Sequence, residues 1–435
     1  MLITISLVGL GTALVFPPPQ IRIHATDKAG TNPRPGKSAV GEEHLRVQGF
    51  RKLRRPDPSK ETLQAPPLNA DQLRREHVPE KGKPLRFAER WPVDVTPTSH
   101  GRWVYEGPRA RWSVRVEAPG SKNLNLEFSQ YHLPASARLE LRVDGELMIR
   151  PFTAEDNENH GELWTPLVAG DRLELVLDVA DDEREQVDLR LSGIHRGFRS
   201  LSFAAGVEKL AGSAPAGDCH IDVVCSAEES GAGDLIDQFR DKIKAAGVYI
   251  LSGTYFCSGA AINNTRNDKR PLFLTADHCG ITFSNAASML VYWNHENSTC
   301  RTRGTSPNAR AGNGPVDHFN SGARLRATFP ASDMTLVELD DPISEDHGVF
   351  LAGWSRVGVP ELAVGVHFPK GSEKRISFDF DEPRTTTYLS SEEETGATHW
   401  RVIGWELGST EGGSSGSPLF DQNGRVVGQL HGGYA

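Results

Sequence analysis

The stretch "GGSSGSPLFD", Gly412 to Asp421, decides how this chain reads, with three glycines and three serines in its first six residues. Such a run makes either a flexible linker or a sharp turn that presents a reactive hydroxyl. A serine hydroxyl alone is a poor nucleophile. It needs an imidazole to take its proton and a carboxylate to hold that imidazole in the right tautomer. What the run is therefore depends on what the rest of the chain supplies.

Working outward, "LFLTADHCG" places His278 at the end of an apolar strand. "ASDMTLVELDD" places Asp333 at the start of another, 55 residues on (333 − 278), and Ser415 follows 82 residues later (415 − 333). Each motif alone has a bland reading: a polar strand end, a turn aspartate, a Gly/Ser loop. Together they run in the order His, Asp, Ser, which is the chymotrypsin order and not that of subtilisins or α/β-hydrolases. Glycines beside the serine let the N–H groups of Gly413 and Ser415 converge on a developing oxyanion. The run reads as a nucleophile turn.

The 435 residues leave room for two to three domains and an ample core. With 48 basic and 57 acidic residues the net charge is −9, which offers no general attraction to nucleic acid. All five cysteines fall between Cys219 and Cys300 without a C-x-x-C pair. That pattern argues for disulfides and an oxidising compartment, not a zinc site. Leu2 to Phe16 is an apolar run too short to span a bilayer and is followed by a loose cleavage pattern at Ile23-His24-Ala25, so residues 1–25 read as a secretory signal, although no Lys or Arg precedes Arg22.

Residues 26–95 are rich in proline and charge with no sustained apolar period, and read as a solvated arm. "RKLRRPDPSK" at Arg51 is its most basic part, read as solvated and not as a binding patch. Over 96–205 apolar residues alternate, as at Trp112, Val114 and Val116, and Asp144-Gly145 marks a hairpin turn. This predicts an all-β sandwich. Asp156, Asn157, Asn159 and His160 within it read as a polar loop and not a calcium site. After the small-residue stretch "AGSAPAGD" at Ala211, residues 210–435 again predict short strands.

"TADHC", "SDMTLVEL" and "GSSGSP" resemble the three active-site motifs of trypsin-like serine proteases. "CHIDVVC", "GTYFCSGAAINNT", "VYWNHENSTC", "EKRIS" and "GQLHGG" narrow the likeness to the bacterial secreted lysyl endopeptidase group, over roughly residues 213 to 435. The resemblance implies a two-barrel, chymotrypsin-like protease domain. A β-sandwich resembling the group's propeptide precedes it and acts in cis. The implied roles are His278 as base, Asp333 as its orienter and Ser415 as nucleophile, with no metal or other cofactor. Cys257 would bridge Cys279, Cys225 would bridge Cys300, and Cys219 is left over. Polypeptides are the implied substrates, and the mature enzyme is expected to be extracellular, monomeric and free of membrane or nucleic acid. Maturation is expected after Lys209 in "GVEKLAGSAPAGD".

Ser409, six residues before Ser415, stands where trypsin carries its pocket aspartate, and with His431 and Gly432 is expected to line the substrate pocket. No tryptophan in "TYLSSEEETGATHW" clearly matches the one that stacks on this histidine in the group. Cleavage after lysine is the leading expectation. A glutamyl endopeptidase-like specificity and a non-catalytic binding protein on a protease scaffold stand beside it. The resemblance also places the last strand, the C-terminal helix, the pocket acid and the partner of Cys219 beyond residue 435. The sequence as written is therefore expected to be a fragment, poorly folded and inactive.

Overall fold

The computed structural model describes residues 61–78, 82–202, 217–310, 312–389 and 396–433, together with the backbone of 3–6. The Arg51 stretch and Lys209 lie outside these residues. The structure is mostly β. Where apolar residues alternate with polar ones the strands are buried on one face, as in Arg109–Glu117. Where every residue is apolar or small they are buried on both, as in Leu272–Ala276 and Ala246–Leu251.

Upstream, two mainly antiparallel sheets share one core. In one, Asn123–His132 and Asp188–Gly197 pair centrally, with Ala88–Val95 at one edge and Leu163–Trp164 at the other. In the other, Arg109–Glu117, Arg172–Ala180 and Arg138–Val143 run side by side. Trp112, Val114, Val116, Leu126, Phe128, Leu175 and Leu191 are all buried in the shared core. Asp144 and Gly145 both have positive φ (51° and 87°), as a tight two-residue hairpin turn requires.

The arm reading is corrected over part of its length. Thr62–Gln64 pairs with Arg115–Glu117, Ala70–Glu76 is a helix capped by Asn69, and Ala88–Val95 is a full sheet strand. Proline and charge hid the alternation of "AERWPVDV", whose exposed positions carry Arg90, Pro92 and Asp94 at a sheet edge that tolerates them.

Downstream lie two further sheets. The first runs in the order Phe319–Ser321, Leu290–Tyr292, Ala246–Leu251, Tyr255–Ile262, Leu272–Ala276, Met334–Leu339, Ala323–Phe329. Its two end strands are consecutive in the chain, joined at Gly322 with φ +82°, so the sheet curls back towards itself. The second holds Arg375–Asp379, Ala363–His367, Pro418–Phe420, Val426–Gly433 and His399–Val402. Ile3–Ser6 lies between Val426–Gly433 and His399–Val402 and pairs antiparallel with both. Disulfides join Cys225 to Cys300 and Cys257 to Cys279, and Cys219 is free and exposed. Among the described residues, no helix is long and apolar enough to cross a membrane.

Candidate active site

Neighbouring strand ends bring the first two residues together. Leu272–Ala276 pairs antiparallel with Met334–Leu339, Ala276 opposite Met334. His278 lies in the turn just beyond the first strand and Asp333 just before the second. Asp333 has φ +53°, a left-handed conformation that aspartate tolerates better than most residues. Its carboxylate is almost fully buried and accepts twice from His278: from the backbone N–H at 2.7 Å and from Nδ1 at 2.7 Å. The Asp333 carbonyl in turn accepts from the Asp277 N–H at 2.9 Å and the Gln429 amide at 2.8 Å. With its proton on Nδ1, His278 turns a lone pair away from Asp333 at Nε2. That atom is buried and has no hydrogen-bond partner among the described residues.

The Ser415 turn docks against the same strands. The Ser258 N–H donates to the Ser415 carbonyl at 2.7 Å, and the Gly416 N–H to the Leu430 carbonyl at 2.8 Å. Gly416 has φ +82°, and a side chain there would collide with Thr275 Oγ1 and the Ser258 carbonyl. Gly413 has φ +93° and abuts the Phe256 ring in the same way. Glycine is thus required on both flanks of the serine. The amides of Gly413 and Ser415 donate to no backbone carbonyl among the described residues. The neighbouring serines are both buried. Ser414 Oγ sits 2.9 Å from His367 Nδ1, and Ser417 is buried with its N–H on the Ser414 carbonyl at 3.0 Å. Ser415 is the half-exposed one.

Beneath the turn lies a polar network that the sequence did not reveal. Burial drives His367 well below the usual histidine range, so it stays neutral between Ser414 and Ser377. Ser377 donates to the Ser409 carbonyl at 3.0 Å, which ties down the segment that precedes the turn. Burial acts to raise the Glu411 carboxyl. Hydrogen bonds from His220, the Gly217 amide and Lys370 outweigh that and bring it down to about 2.

On the open side, His431 stacks on His278 with ring centroids 5.6 Å apart and on Tyr388 at 3.6 Å. Its Nε2 is 3.8 Å from Asp333 Oδ2, and its Nδ1 is 3.0 Å from His399 Nε2. Burial and the neighbouring His431 lower His399 to about 4. Tyr388 thus occupies the stacking place for which the sequence showed no tryptophan. A Cβ on Gly432 would stand 2.7 Å from the Tyr388 hydroxyl. Neither Tyr388 nor His399 carries a local signal, because their part comes from contacts with His431, which is distant in sequence.

His278, Asp333 and His431 bring one ligand atom each within metal-binding range, but both Asp333 oxygens are already taken by His278. In the polar loop, Asp156 pairs with Arg150, Asn157 with the Leu133 backbone, and His160 with Asp340.

A family profile described as lysyl endopeptidase, C-terminal domain, matches residues 213–435. A lysyl endopeptidase of Pseudomonas aeruginosa is 28% identical over 346 residues, covering 76% of this chain and 70% of the relative. Among solved structures, the active form of the Rv3671c protease from M. tuberculosis is 14% identical with a TM-score of 0.24, over 42% of this chain and 68% of that one. A serine endoprotease from Yersinia pestis is 12% identical with a TM-score of 0.28, over 46% and 56%.

Proposed function

This chain belongs to the lysyl endopeptidase family, and we propose that it cleaves polypeptides after lysine with Ser415 as nucleophile, His278 as base and Asp333 as orienter. The observation that carries the reading is the His278–Asp333 contact at 2.7 Å with His278 Nε2 left buried and unbonded. In this reaction Nε2 takes the Ser415 proton as Oγ attacks the substrate carbonyl. The Asp333 carboxylate stabilises the imidazolium that forms. The developing oxyanion is held by the free amides of Gly413 and Ser415. His278 then gives its proton to the leaving amine, and water removes the acyl group by the same route in reverse. His431, Gly432 and Ser409 line the substrate side.

The two downstream sheets read best as the two barrels of a chymotrypsin-like domain over about 210–435, and the upstream sheets as its propeptide. Closing disulfide loops of 75 and 22 residues stabilises by roughly 3 to 4.5 kcal/mol each on the chain-entropy model. Such bonds suit a secreted protein, released after processing near Lys209. Cleavage of a mixed peptide library tests the specificity. Cuts confined to the carboxyl side of lysine are expected, and cuts after glutamate would contradict the proposal.

A further inference from the structure

Gly82 to Phe87, "GKPLRF", belongs to the stretch that sequence alone reads as a solvated arm. In the structure Leu85–Arg86 pairs antiparallel with Tyr255–Phe256, Leu85 opposite Phe256, and the Phe87 N–H donates to the Thr254 carbonyl at 2.9 Å. The opposite edge of Tyr255–Phe256 is taken by Ile250–Leu251. Two residues further along the same strand, the Ser258 N–H holds the Ser415 carbonyl. Phe256 itself fills the space beside Gly413. At the other end of the segment, a Cβ on Gly82 would stand 3.9 Å from the hydroxyl of Tyr388, the ring stacked on His431. Three residues of extended chain reach at most about 11 Å. Lys83–Pro84 therefore links the two walls that flank Ser415, Tyr388 with His431 on one side and Phe256 with Gly413 on the other.

We propose that Gly82–Phe87 is an inhibitory strap that lies across the cleft as a substrate would, presenting Lys83–Pro84 to Ser415 as a bond that resists cleavage. The proposal rests on the function given above. Strand addition to an edge is a general way to hold an extended peptide. Pro84 restricts Lys83 to extended conformations, the form in which a peptide threads such a cleft. The Pro84 nitrogen carries a ring carbon in place of hydrogen, which crowds the position where His278 must deliver a proton to the leaving nitrogen. Lys83 is exposed, and main-chain pairing and the buried Leu85 and Phe87 hold the strap. The Phe198 N–H on the Phe87 carbonyl at 2.8 Å and Arg199 Nε on the Arg86 carbonyl at 3.0 Å fasten it to the upstream sheets.

Two experiments on the full chain test this. In Ser415→Ala protein, binding of a fluorescent decapeptide with a central lysine is compared with and without Leu85→Ser, with circular dichroism confirming the fold. If the strap is open about one time in ten, loosening it tightens the apparent Kd up to about tenfold. Unchanged affinity in the folded variant overturns the strap. In protein with Ser415 intact, Pro84→Ala replaces the resistant bond by an ordinary amide. Water is then consumed, the carbonyl carbon of Lys83 parts from the nitrogen of residue 84, and His278 protonates that nitrogen. A new N-terminus at residue 84 is expected, absent when Ser415→Ala is added. An uncut Pro84→Ala chain that still hydrolyses a lysine ester refutes the strap and leaves the proposed function standing. If the ester is not hydrolysed either, the proposed function fails and the decapeptide measurement decides the strap.

Discussion

Replacing Asp333 by asparagine separates the chemistry of the site from its architecture. The left-handed backbone at Asp333 suits asparagine as well as aspartate. The backbone carbonyl that accepts from Asp277 and Gln429 is untouched. What changes is the pair of 2.7 Å contacts to His278. An asparagine that keeps its oxygen on the His278 N–H turns its NH2 towards Nδ1. Nδ1 must then become an acceptor, so the proton moves to Nε2, where it blocks removal of the Ser415 proton. The loss expected for a wrong tautomer is about 10⁴-fold in kcat, equivalent to about 5.5 kcal/mol of barrier. The assay is lysine ester hydrolysis by wild type and Asp333→Asn, with thermal unfolding measured alongside. Near-native melting with a 10³- to 10⁵-fold drop in kcat is expected. A folded variant within tenfold of wild type would show that His278 is not oriented through Asp333.

Gly416→Ala forces a side chain onto Thr275 Oγ1 and the Ser258 carbonyl at φ +82°, and should cost about 2 to 4 kcal/mol in urea unfolding; a change below about 0.5 kcal/mol would contradict the close approach. Glu411 is depressed in the folded state, so its contribution is present above the unfolded value near 4.5 and is lost as pH falls towards about 2. Glu411→Gln should therefore lower stability at pH 7 by an amount on the order of 3 kcal/mol, with the two proteins converging as pH drops through that window. A stability gap that persists unchanged below pH 2 would exclude the ionised carboxylate as its source.

What could be read in the sequence follows from how local each signal is. His278 and Asp333 each adjoin an apolar strand, and the antiparallel pairing of those strands turns 55 residues of separation into contact. The glycines at 413 and 416 were legible as a turn, though the collisions that require them depend on Phe256 and Thr275, which are far away in sequence. Tyr388, His399 and His367 gave no warning, since a stacked ring or a buried neutral histidine has no characteristic neighbours. The strand Ala88–Val95 was hidden because its outward positions hold charge and proline, as an edge allows. Lys83–Pro84 was hidden by the same composition, and only the pairing of Leu85 with Phe256 gives it meaning.

The central claim is that Ser415, among three closely spaced serines, is the nucleophile. Its most direct test is treatment of the protein with a lysine-like organophosphonate, followed by peptide mass mapping. The labelled atom is predicted to be Ser415 Oγ, with labelling abolished by Ser415→Ala, retained in Ser417→Ala and lost on acid denaturation. A label on Ser414 or Ser417, or none on protein that cleaves peptides, would contradict the account.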